Sequence, residues 1–172
     1  MARPQITQIR HSVDFAQNHR WDLRFTRFPT AVAADSESLN FRCVSSTVPV
    51  KTQTPIDVNI RGHHIRVAGV TDSDHTITFS FVEDVSNTVS NVIRSWREAI
   101  WESKTGISRP FNELVATIQI IRLNNQDEPI WQYELSDCFL ESYTAGDLTG
   151  EGGDLIRPEM TLSYNYFTDG AV

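Results

Sequence analysis

The chain has 172 residues, 40% apolar and 22% charged, and its 22 acids against 15 bases give a formal charge of −7. That size and balance suit a packed core and exclude wholesale disorder. The acidic excess argues against a protein that grips nucleic-acid backbone, where affinity comes from lysine and arginine displacing counterions, yet it suits a surface along which a polyanion slides.

The first residues, MARPQITQIRHSVDF, lack the apolar core of a secretory leader, and no run reaches bilayer-spanning length. Cytoplasmic synthesis and no membrane anchoring are therefore expected. Strand periodicity begins at Trp21, Leu23 and Phe25, which alternate with Asp22, Arg24 and Thr26. Leu39, Phe41 and Cys43 repeat the alternation and predict a second strand, after a connection rich in small and polar residues. The polar stretch KTQTP reads as an exposed, partly extended link. Ile56, Val58 and Ile60 then alternate up one arm of a hairpin, Gly62-His63-His64 is expected to form its bend, and Ile65 and Val67 descend the other arm.

Ile77, Phe79 and Phe81 mark a strand rich in β-branched and aromatic residues. Next the period changes. Val89, Val92, Ile93, Trp96 and Ile100 form one helical stripe, with Asp84 or Ser86 as cap, Gly106 as stop, and Trp101 off the stripe as an exposed contact. ELVATIQIIRL predicts a central strand, NNQDEP a turn, and IWQYEL and DCFLESY two further strands. TAGDLTGEGGDLI holds four of the eight glycines and reads as a flexible loop, spanning 145–154. Met160, Leu162, Tyr164 and Tyr166 alternate in a single closing strand. The sum is mainly β: an antiparallel barrel or sandwich of seven to nine strands with one flanking amphipathic helix and a protruding hairpin.

Chemistry-bearing clusters are sparse. His63 and His64 are neighbours, so on a strand they point to opposite faces and cannot chelate one ion together. Asp72, Asp74 and His75 read first as a turn, with a metal-dependent hydrolase as the rival. Asp147, Glu151 and Asp154 fail the calcium-loop spacing. No phosphate-binding loop, dinucleotide fingerprint or nucleophile elbow appears, so no catalytic, cofactor-binding or metal residue is nominated. Cys43 and Cys138 read as buried, inert thiols rather than a disulfide framework. A free β-sandwich binding sugar through Trp21, Trp131 and Tyr133 is the alternative from another class.

One combination carries a resemblance. NFRCVSSTVPV, then IDVNIRGHHIRVAG closing on Ile65-Arg-Val-Ala-Gly69, then the strand and helix from His75 to Trp101, and finally TLSYNYF, together resemble the tail tube proteins of contractile-tailed bacteriophages. The match runs from about Trp21 to Phe167 and departs from the pattern in a longer N-terminal arm and in the glycine-rich loop at 146–153. The resemblance implies one tail-tube domain over 1–172, with an N-terminal arm at 1–18 and a protruding hairpin at 46–66. It further implies a barrel or sandwich shared with the type VI secretion ring protein, hexameric rings stacked into a tube, sheath and baseplate partners, DNA passing through the lumen without sequence-specific binding, and residence in the virion. No cofactor and no enzymatic activity are implied. The hairpin residues Val50, Ile56, Val58, Ile60, His63 and His64 are then expected between rings, and Trp101 against a neighbouring subunit or the sheath. A tube initiator, a terminator ring, or a secreted ring protein of a contractile injection system remains the alternative within this architecture.

Overall fold

The computed structural model describes residues 15–172; the expected arm's residues 1–14 lie outside the described residues. Two antiparallel sheets share one long strand. In the first, β1 (Trp21–Arg27) pairs with β6 (Ala116–Leu123), β6 with the first half of β7 (Pro129–Thr144), and that half with β9 (Tyr166–Gly170). In the second, the last part of β7 pairs with β8 (Glu159–Ser163), β8 with β5 (Thr76–Phe81), and β5 with β2 (Cys43–Ser46). The sheets form a sandwich and do not close into a barrel. A separate two-stranded ribbon, β3 (Lys51–Ile60) and β4 (His63–Ser73), completes the nine strands among the described residues.

Alternation places the core. Leu23 and Phe25 of β1 share a face with Ile120 and Ile118 of β6, opposite Tyr133 and Leu135 of β7. Phe79 and Phe81 of β5, with Met160 and Leu162 of β8, fill the space between the sheets and are fully buried. The helical stripe packs on this core: in α2 (Thr88–Ile100), Val89, Val92, Ile93 and Trp96 are buried, and Trp96 Nε1 donates to the Leu114 carbonyl at 2.9 Å. Two carboxylates satisfy the first turn of α2, whose amides have no partner within the helix. Asp84 accepts from Thr88 N at 3.0 Å, and Glu83 accepts from Val89 N and Ser90 N at 3.0 and 2.8 Å. Asp84 thus acts as the expected cap, while Gly106 lies beyond the helix in a turn, its amide donating to Glu102 O.

Outside the ribbon, four elements differ from the sequence reading. Leu39 and Phe41 do not join Cys43 in a strand: Ser36–Arg42 is a short helix, α1, capped where Asp35 accepts from Ser38 N at 3.0 Å, and β2 starts only at Cys43. Leu39 is buried and Phe41 exposed, as a helical turn requires and an alternating strand does not. A further one-turn helix, α3 (Phe111–Leu114), precedes β6. IWQYEL and DCFLESY form one continuous strand, because Asp137 takes a left-handed φ of 55° and re-aims β7 from one sheet into the other without ending it. The closing strand does break: Tyr164 and Asn165 separate β8 from β9, so Phe167 turns inward and Tyr166 outward.

Candidate functional site

The ribbon is the feature that the core does not explain. It runs from Lys51 to Ser73, longer and later than the 46–66 hairpin expected, and KTQTP belongs to its first strand rather than to a link. Its turn is Arg61-Gly62, with φ of 48° and 83°, the two positive values that a tight two-residue hairpin demands. His63 and His64 therefore lie in β4 and do not form the bend: Ile60 faces His63, and Asn59 faces His64.

Directly opposed residues of an antiparallel pair share a face. One face of the outer ribbon collects Ile56, Val58, Ile60, Ile65 and Val67 with His63; the other collects Asp57, Asn59, His64 and Arg66. On the polar face, Asp57 Oδ1 accepts from Arg66 Nε at 2.8 Å, and His64 Nε2 lies 3.4 Å from the same oxygen. The apolar face is uncovered: Ile56 is 51% and Ile60 54% exposed, and Val58 is half-buried. Val50, just before β3, is also exposed. An isolated two-stranded ribbon is marginal in water, and a contiguous exposed apolar stripe marks an interaction surface.

Below this stripe the ladder carries a bulge, with Gly69 and Val70 set against Thr54. A Cβ at Gly69 would lie 2.3 Å from the Thr54 carbonyl oxygen, so the glycine is a steric requirement. The base is tied to the sandwich. Tyr164 donates its hydroxyl to Asp74, its amide donates to His75 O at 2.9 Å, and Lys51 Nζ sits 4.5 Å from the centre of the Phe167 ring. Burial and the adjacent Asp74 carboxylate both raise the Tyr164 phenol well above its usual range, so it remains a hydrogen-bond donor.

The sandwich edges differ in availability. Along β1, Leu23 N donates to Asn40 Oδ1 and Phe25 N to Ser36 Oγ, both at 2.8 Å, so α1 occupies backbone donors that an open edge strand would expose. At the end of α1, Arg42 Nη2 meets Asp84 Oδ2 at 2.5 Å. The Thr88 amide that donates to Asp84, together with the Arg42 pairing and the Thr88 hydroxyl, holds the Asp84 carboxyl down at about 2. Trp101 follows α2 and is 60% exposed; its ring lies over Gly106 in a compact turn where Glu102 N donates to Ile107 O at 3.0 Å.

The rival constellations do not converge. Asp72 Oδ1 lies 3.6 Å from His75 Nε2, but Asp74 turns away to Tyr164. Among the described residues no three His, Cys, Asp or Glu side chains are grouped to hold a metal. Tyr133 is buried against Trp131, with centroids 6.4 Å apart, while Trp21 and Tyr133 line an open cleft of about 560 Å³ beside Val44 of β2 and Val48 just beyond it. Both cysteines are free; burial pushes each thiol up to about 12.

No curated protein sequence matches the chain. In fold it is similar to a chain in the PVC sheath-tube complex of an extracellular contractile injection system in the extended state: TM-score 0.66, 15% identity, 99% of this chain and 100% of that one. It is also similar to a chain of the PVC sheath/tube terminator in the extended state, with TM-score 0.68 and 15% identity over 93% and 99% of the two chains. Hcp1 from Flavobacterium johnsoniae follows at TM-score 0.50 and 9% identity, over 89% and 96%. The family model of the T4-like virus tail tube protein gp19 matches residues 61–168, more than half of the sequence. By that match the chain belongs to the T4-like virus tail tube protein family.

Proposed function

We propose that six copies of this chain form a ring through their sandwiches and that rings stack into a hollow tube, with the β3–β4 ribbon as the ring-to-ring contact. The observation that carries this is the apolar face of Ile56, Val58 and Ile60, uncovered among the described residues, on a ribbon paired there with no other strand. Val50, His63 and His64 lie at the margins of that contact. The chain acts as one tail-tube domain, structural and without catalytic activity, within a phage tail or a related contractile particle. Its tube lies inside a sheath, starts from a baseplate, and is driven forward when the sheath contracts. Trp101 supplies a contact to a neighbouring subunit or to the sheath. Net charge of −7 suits a lumen through which DNA passes without adhering.

A second reading, a terminal ring in place of the repeating subunit, is favoured by the likeness to the PVC terminator chain. Negative-stain microscopy of the purified protein at high concentration separates the two. Long tubes of stacked six-fold rings are expected. Rings that never stack assign the chain to a terminus, and a protein that stays monomeric at every concentration overturns the proposal.

A further inference from the structure

We infer that the tip of the β3–β4 ribbon is received, on a second copy, by the acidic glycine-rich segment between β7 and β8; this rests on the ring-stacking reading above. The first observation is placement. β5 and β8 form a ladder that pairs Thr76 with Ser163 at one end and Ser80 with Glu159 at the other. The ribbon leaves the fold at the Ser163 end, where Ser73 leads through Asp74 and His75 into β5. The glycine-rich segment enters at the other end, where Glu159 pairs with both Ser80 and Thr144. Four residue steps separate those ends, roughly 14 Å along the strands. Two different surfaces at opposite ends of one ladder make a heterologous, head-to-tail contact, the geometry that extends into filaments.

Charge is the second observation. The ribbon tip carries Arg61 at the turn, flanked by His63 and His64, and Arg61 makes no ion pair among the described residues. The 145–159 segment carries Asp147, Glu151, Asp154 and Glu159 against Arg157 alone, and none of these five is in an ion pair among the described residues. An unpaired cation at one end of an acidic molecule thus meets unpaired carboxylates at the other. Apolar chemistry runs in parallel: Leu148 is 86% exposed beside those acids, and Ile60 stands beside Arg61. Opposite charges of this kind set partner choice and register, with the apolar groups supplying contact area.

Charge reversal in both directions tests this. Arg61→Asp keeps a residue type that tolerates the left-handed turn, and Asp147→Lys with Asp154→Lys alters exposed side chains, so circular dichroism should show all variants folded. The tube-forming concentration is measured by sedimentation, with microscopy of the pellets. Each change alone is expected to raise it at least about tenfold, and the two together to return it to within about threefold of the wild type. If Arg61→Asp raises the concentration but the Lys pair does not, the receiving surface lies elsewhere and this inference is overturned while the ribbon's role in stacking stands. A combined variant as defective as its parents overturns it equally. Should the wild-type chain form no tubes, the stacking reading fails and carries this inference with it.

Discussion

Replacing Ile56, Val58 and Ile60 together by threonine separates assembly from folding. Threonine keeps strand propensity, so the ribbon should persist, while the apolar face is lost. Fully burying an isoleucine or valine contributes roughly 1.5 to 3 kcal/mol. Ile56 and Ile60 are about half exposed in the isolated subunit, and Val58 somewhat less, so docking has on the order of 1 kcal/mol left to gain at each. Removing all three should cost about 3 kcal/mol per ring-to-ring contact, or about a hundredfold in the stacking constant. Because none of the three belongs to the buried core of the sandwich, thermal unfolding of the subunit should shift by no more than about 2 °C. Sedimentation paired with calorimetry reads both quantities. Tubes forming at the wild-type concentration would refute the reasoning. So would a melting temperature that falls in step with assembly, since the ribbon would then belong to the core.

Trp96→Phe removes a buried ring edge and orphans the Leu114 carbonyl, which accepts from Trp96 Nε1; a loss of about 3 kcal/mol is expected, read as a fall of about 9 °C in melting temperature. Gly69→Ala drives a Cβ into the Thr54 carbonyl, so tubes should be lost while the sandwich melts nearly unchanged, as checked by microscopy and calorimetry. Ser36→Ala with Asn40→Ala uncovers Leu23 N and Phe25 N, at about 1 kcal/mol each, and hydrogen exchange at those two amides should accelerate. Asp84 titrates at about 2 in the fold against an ordinary 3.8, a depressed value, so its stabilisation is fully present above about pH 4 and is lost as pH falls through 2. Asp84→Asn should flatten that part of the stability profile in acid titration.

Where a segment faces the core, its period is legible in the sequence. Leu23 and Phe25, Ile77 to Phe81, and the stripe from Val89 to Trp96 all bury the residues that alternation or helical spacing selects. Elsewhere other forces decide. Leu39, Phe41 and Cys43 alternate, but the local Asp35 cap favours helix, and the tertiary hydrogen bonds of Ser36 and Asn40 to β1 and the Arg42–Asp84 pair reinforce it. Thr52, Gln53 and Thr54 look like a link because a ribbon outside the core needs no buried face, so polarity there says nothing against a strand. The candidate surface was half legible. Alternation of Ile56, Val58 and Ile60 marks the apolar arm, whereas the turn at Arg61-Gly62 rests on two positive φ values that an arginine beside a histidine pair does not signal. The β-bulge at Gly69 depends on the register of the partner strand, which a single strand's sequence does not encode.

β7 has a mechanical consequence. Its sixteen residues, about 50 Å of extended chain, are stitched to β6 and β9 along the first part and to β8 along the last. The two sheets cannot pivot about each other without shearing ladders on both sides of Asp137 at once. Among the described residues the two sheets therefore have no hinge between them, so a load applied along a column of such subunits passes through each sandwich as through a solid block. Compliance is then confined to the joints, and the column bends or breaks where one copy meets the next.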